Sequence, residues 1–177
     1  EEGIKVALIS SGESGFYGMA GLLLELLQKI KKEYRPYFEV HPGISSVQLA
    51  AAISGAPLMN DFCSVSLSDK LTPWSLIEKR IKGALVGDFV IALFNPQSIE
   101  RNWQLKSVID ICLQSRHGDT PVLIARQVGR ENQTKKFFTL NTIPFKEIDM
   151  LSIIIIGNSQ TTLVDEIFLT PRGYLQN

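Results

Sequence analysis

"GDFVIALFN", residues 87–95, decides the fold. A Gly-Asp pair opens an unbroken apolar run, Phe89 to Phe94. Successive strand residues point to opposite faces, so a run without alternation reads as a strand covered on both sides. On its amino-terminal side, "TPWSLIEKRIKGAL" (72–85) carries apolar residues at helical spacing. Thr72 is its expected N-cap, with Pro73 at the first helical position. On the other side, "NWQLKSVIDICLQSR" (102–116) reads as a second helix. A buried strand between two helices is the unit of an α/β sheet.

The same rhythm extends outward. "FCSVSL" (62–67), "TPVLIARQVG" (120–129), "KKFFTL" (135–140) and "LSIIIIGNS" (151–159) read as strands, and "EIFLTPRGY" (166–174) as an edge strand or tail. The close pair at 120–140 implies an antiparallel component, so the expected sheet is mixed but mostly parallel. Towards the N-terminus, residues 4–10 read as a strand, and "YFEVHPGISS" (37–46) as a strand, a Pro-Gly turn and a Ser N-cap opening the next helix. Between them "MAGLLLELLQKIKKEY" puts Leu22, Leu23, Leu26, Leu27 and Ile30 on one helical face. "VQLAAAIS" (47–54) is a helix ended by Gly55-Ala56-Pro57, the expected lobe boundary, giving lobes at 1–56 and 57–177.

Composition excludes some partners. With a formal net charge of zero, the chain has no overall field to draw nucleic acid or an anionic membrane. Its apolar stretches are too short to span a bilayer and no signal peptide is evident, so a cytoplasmic location is expected. Cys63 and Cys112 make no disulfide framework. His41 and His117 lie far apart without acids or cysteines at ligand spacing, so no metal site is expected.

"SSGESGFYGMAG" (10–21) places a glycine-rich loop between an apolar run and a helix. It has neither the G-x-G-x-x-G nor the G-x-x-x-x-G-K-[ST] spacing that cradles phosphates. Glu13 within it argues for a ligand without phosphates, and a cationic one fits; a plain packing turn is the alternative. His41 reads either as a site-edge residue or as a satisfied structural one. Arg126 and Arg130 flank a loop after a strand, where ligands gather, and otherwise form a solvated face. Ser66 and Asp69 read equally as site residues or as caps of the next helix.

The loop, together with "HPGISSVQLAAAISGAPLMNDF", "SLSDKLTPWSLIEKR", "GDFVIALFNPQS", "GRENQ", "DMLSIIIIGNSQT" and "TPRGY", resembles the tetrapyrrole methyltransferases across essentially the whole chain. The likeness is strongest to the branch that methylates a corrin precursor at C-17 with ring contraction. The resemblance implies a two-lobed α/β fold, S-adenosylmethionine held between the lobes, a tetrapyrrole substrate and a homodimer. It also implies an incomplete N-terminal lobe, lacking the family's first strand and G-x-G-P-G loop. Carried over by position, Ser11, Gly12, Glu13 and Phe16 match the cofactor loop, and Ser45 and Ser46 the pair facing the cofactor. Leu93 matches the adenine-end position, and Gly129 a further cofactor position. Glu13 stands where the family usually has Asp. Arg126, Arg130, His41, Ser66 and Asp69 are the expected substrate-side residues, the arginines for acetate and propionate arms. Two other readings follow from the same residues: a different family member such as uroporphyrinogen III methyltransferase, or a non-catalytic dimerising or corrinoid-binding fragment.

Overall fold

The computed structural model describes residues 3–174. The chain divides into two compact units, Glu1–Ser46 and Val47–Asn177.

In the first unit, α1 (Met19–Gln28) follows the glycine-rich loop. Arg35 closes its far end, donating from Nε to the Ile30 carbonyl at 2.7 Å and from Nη2 to the Gln28 carbonyl at 3.0 Å. This satisfies carbonyls left without helical partners. The strands expected at residues 4–10 and 37–41 do not form. Ile4, Val6 and Ile9 are 81%, 88% and 91% exposed. The physical reason is pairing: a strand needs neighbours for its N–H and C=O groups, and this unit has no strand among its described residues.

The second unit is a layered α/β structure. Its five-stranded sheet has the order β2-β3-β6-β4-β5, from β2 (Phe62–Ser66), β3 (Val90–Phe94), β4 (Pro121–Arg126), β5 (Thr134–Thr139) and β6 (Ser152–Ile156). Only β2 and β3 pair in parallel; β3–β6, β6–β4 and β4–β5 are antiparallel. The sheet is mixed, as expected, but antiparallel pairs outnumber parallel ones. The late strand β6 inserts between β3 and β4, which the crossover helix leaves apart.

Helices α3 (Trp74–Val86) and α4 (Gln104–Leu113) cover one face. Ile77, Ile81 and Ala84 of α3 and Leu105, Val108, Ile109 and Cys112 of α4 pack there with Ile91, Leu93, Ile124 and Ile154. Those spacings of three, four and seven give each helix one buried stripe. Their exposed faces carry Glu78–Lys82 and Lys106–Asp110 pairs one turn apart. Thr72 does not cap α3. Pro73 occupies the N-cap position with ψ of 138°, and no side chain bonds the open amides.

The opposite face holds Val90, Ala92, Leu123, Ala125, Ile153 and Ile155. Val47 and Ala50 from α2 (Ser46–Ser54) cover it, together with Phe168 of a small second sheet. This burial draws α2 into the second unit, so the division falls before the expected break at Gly55-Ala56-Pro57. The small sheet has the order β1-β8-β7, from β1 (Gly55–Ala56), β7 (Thr162–Val164) and β8 (Ile167–Leu169). The segment read as an edge strand or tail is therefore its central strand. No helix among the described residues is long and apolar enough to cross a membrane.

Candidate functional site

Strand direction gathers the polar groups of the second unit. β2 runs with β3, and β3 and β4 are both antiparallel to β6, so all three end at one edge of the sheet. In α/β folds, ligands collect beyond the carboxyl ends of strands. At this edge lie Ser66, Phe94 and Arg126 as last strand residues, with Ser152 opening β6 beside them.

Hydrogen bonds knit this edge together. Asn95 holds a left-handed φ of 52° just past β3 and donates from Nδ2 to Ser66 Oγ at 3.0 Å. Ser66 Oγ also accepts the Ser68 amide at 3.3 Å. Asp69 accepts a bond from Gln104 Nε2 at 2.9 Å, tying the segment after β2 to the start of α4. Neither Ser66 nor Asp69 caps α3, which begins only at Trp74. Both instead organise the sheet edge.

Arg126 faces Asp149 across the β4–β6 ends, with Nε and Nη2 each 2.9 Å from Oδ2. Partial burial pushes the Asp149 carboxyl upward. Hydrogen bonds from Arg126, Ser152 and the Leu151 amide outweigh it and hold the group below its usual value. Arg126 is thus neutralised within the chain and is a weaker free cation than the sequence implied. Arg130 is exposed on the turn after β4, where its amide donates to the Gln127 carbonyl at 3.0 Å. Gly129 takes a φ of +75°, and a side chain there would press on Leu49 Cδ1 at 2.8 Å. Leu93 lies inside β3, not beyond it, and its side chain is fully buried on the α3/α4 face. Only its backbone is shared with the strand ends.

Ser11, Gly12, Glu13, Phe16, His41, Ser45 and Ser46 belong to the first unit. There the glycine-rich loop turns at Glu13, whose carbonyl accepts the Phe16 amide at 3.2 Å. Gly12 has a φ of +74°, and a side chain at Gly43 would collide with the Gly12 carbonyl. The loop backbone and the Pro42-Gly43 turn can therefore approach only because both positions are glycine. Ser14 Oγ donates to the His41 carbonyl at 3.4 Å, joining the same two segments. His41 is exposed and Phe16 is 36% exposed, while Glu13 is half-buried and Ser45 buried. A half-buried carboxylate among glycine carbonyls fits a cation and not a phosphate.

The thiols offer no nucleophile. Burial pushes the Cys112 thiol up to about 11 and raises Cys63 too, against the opposing charge of Arg116. Thiolate is the reactive form, so both are structural at neutral pH. No group of three or more His, Cys, Asp or Glu among the described residues could hold a metal.

Five residues of the sheet edge escaped the sequence reading: Asn95, Arg101, Gln104, Asp149 and Met150. Asn95 was signalled by its place after an apolar strand. Arg101 had no such signal, because "QSIER" (97–101) has the composition of a solvated loop.

Residues 1–144 match the model of the family described as Tetrapyrrole (Corrin/Porphyrin) Methylases. The chain is 45% identical over 174 residues to a Salmonella typhimurium protein named "Probable cobalt-factor III C(17)-methyltransferase", covering 98% of this chain and 71% of that one. It is 46% identical over 176 residues to a Priestia megaterium "Cobalt-factor III methyltransferase", but covers only 33% of that longer protein. Among solved structures, the methyltransferase CobJ superposes with a TM-score of 0.91 at 35% identity, over 96% of this chain and 71% of that one. Those matches span the glycine-rich loop and the mixed sheet alike, and on them the chain belongs to the tetrapyrrole methylase family.

Proposed function

We propose that this chain is the core of a cobalt-factor III or precorrin-3B C17-methyltransferase of cobalamin biosynthesis, acting in the cytoplasm as a homodimer. The observation that carries the reading is the 45% identity, over 98% of the chain, to a protein named for that activity. S-adenosylmethionine, when bound, supplies an electrophilic methyl group on a sulfonium. Glu13, Ser11 and the Gly12 backbone, with Ser45 and Ser46, are the first-unit residues that would hold it. Leu93 and Gly129 are the positions proposed for it in the second unit.

The substrate's ring carbon is itself electron-rich, so the chain needs no activated nucleophile. Its task is to orient the reacting partners, which contributes up to about 7–11 kcal/mol when alignment is ideal. That agrees with a buried Cys112 and a half-buried Cys63, both thiols pushed up by burial, and with a sheet edge built from hydrogen bonds rather than from a nucleophile–base pair. The residues proposed to meet the substrate's carboxylate arms and ring substituents are Arg126, Arg130, Ser66 and Asp69 in the second unit and, separately, His41 in the first. Asp69 and Ser66 act by fixing the loops that the substrate meets.

Calorimetry on the full-length protein tests the cofactor half of this reading. S-adenosylmethionine and its demethylated product are expected to bind with micromolar affinity, and Glu13→Gln to weaken the sulfonium form more than the uncharged product. Equal loss for both ligands would remove Glu13 from the cation's surroundings.

A further inference from the structure

Arg101 is 6% exposed, yet no carboxylate among the described residues forms an ion pair with it. Its Nη1 donates to the Asn95 carbonyl at 2.7 Å and its Nη2 to the Met150 sulfur at 2.8 Å, while Nε is buried without a partner. A guanidinium removed from water is costly unless an anion and full hydrogen bonding compensate it. Here a neutral carbonyl and a thioether stand in, and a thioether is a weak acceptor. Two other arginines near this sheet have a carboxylate where Arg101 has none, although Arg116 Nε is likewise buried without a partner. Arg126 has Asp149 at 2.9 Å, and Arg116 has Asp88 at 3.9 Å plus the Gly157 and Phe89 carbonyls.

The deficit is local and built. Reciprocal backbone bonds between Ser98 and Arg101, at 3.0 and 3.2 Å, lock the turn that presents the side chain. Gln97, in the same turn, also keeps a buried side-chain oxygen without a partner. This turn follows β3 at the carboxyl edge of the sheet. Met150, which covers Nη2, sits in the turn before β6 and is 45% exposed. An unbranched thioether on an exposed turn can leave its place without disturbing the ladder.

We infer that Arg101 is a binding residue for a carboxylate arm of the tetrapyrrole, held beneath Met150 until an acetate or propionate displaces the thioether. The inference rests on the function proposed above and adds a specific substrate contact to it. A carboxylate would give Nη2 and Nε the planar, forked acceptor that the free chain lacks. Met150 meanwhile shields the cation when substrate is absent.

The test uses the full-length protein and titrates a porphyrin with free acetate and propionate arms, followed by quenching of the Trp74–Trp103 pair, whose rings lie 4.8 Å apart and whose Trp103 is half-exposed two residues from Arg101. Calorimetry with S-adenosylmethionine and thermal unfolding run in parallel. Arg101→Met should weaken porphyrin binding at least about tenfold, as expected for a charge-assisted bond. It should leave cofactor affinity unchanged and Tm unchanged or higher, because a buried unpaired charge is removed. Arg101→Lys should fall between, keeping charge without the fork. Met150→Ala should tighten porphyrin binding, and the mutation lies on an exposed turn, so it reports even if Arg101→Met fails to fold.

Porphyrin affinity unchanged in Arg101→Met, or unchanged in Met150→Ala when Arg101→Met is unfolded, overturns the inference while leaving the proposed function standing. A wild-type protein that binds neither cofactor nor porphyrin overturns both.

Discussion

Asp149 shows how one side chain can alter the meaning of another. It accepts both Nε and Nη2 of Arg126, and with Ser152 and the Leu151 amide it forms a closed polar knot at the start of β6. Because its folded-state carboxyl is held below the usual value, its stabilising contribution is present at neutral pH, above the unfolded value of about 3.9. It is lost as pH falls through the depressed folded value. Asp149→Asn should therefore flatten the acid limb of stability, seen as a smaller difference between thermal midpoints at pH 7 and near pH 3. An unchanged acid limb would show that the knot does not couple to folding. In the same assay series, Arg126→Ala should cost less porphyrin affinity than Arg101→Met, since Arg126 already has its counter-ion. The place of Ser66 and Arg126 at strand ends, with Asp69 shortly after one, was legible in the sequence. Pairing was not, because the partners lie far along the chain, Asp149 23 residues from Arg126, Asn95 29 from Ser66 and Gln104 35 from Asp69, and nothing local marks them.

At the scale of elements, the alternation of apolar runs and helical stripes was legible from residue 62 to 156, whereas β1 and β7 of the small sheet carried no signal. Strand direction was not. A central antiparallel strand covered on both faces presents the same continuous apolar run as a parallel one, and β6 with its "SIIII" is such a strand. Its return to the sheet passes through short 3-10 turns at Leu140–Thr142 and Phe145–Glu147 rather than a helix, which is what reverses it. The converse failure is "IKVALI" (4–9), whose pattern signals a strand but whose backbone finds no pairing partner within its unit. These two runs should respond differently to truncation of a side chain. Ile154 is fully buried between β3 and β4, so Ile154→Ala should cost about 2–5 kcal/mol in denaturant unfolding. Val6→Ala should stay within about 0.5 kcal/mol, as for exposed positions free of special features. A large loss at Val6 would mean that the apolar run is covered in solution.

For the whole molecule, the family was legible from motifs in order along the chain. The compact units divide after Ser46, because α2 buries Val47 and Ala50 against the sheet, a contact that no local signal encodes. The proposed homodimer belongs at this scale. Leu22, Leu24, Leu26 and Ile30 on and beside α1 remain exposed, an apolar surface suited to a second copy. Light scattering of the full-length protein should give twice the monomer mass at micromolar concentration, and Leu22→Glu with Leu26→Glu should halve it. A monodisperse monomer at all concentrations would refute the dimer.

The strand order has a consequence for how the protein is made. β6 lies between β3 and β4, yet it is synthesised after both, and after β5. Until residue 156 has left the ribosome, β3 and β4 have no common neighbour, and each exposes an open apolar edge. The β2–α3–β3 unit and the β4–β5 hairpin can form early from nearby sequence. Their union must wait for a strand that arrives last and pairs on both sides at once. The nascent chain therefore passes through a long interval with two unclosed half-sheets, the period when unpaired edges invite association and chaperones would hold them apart.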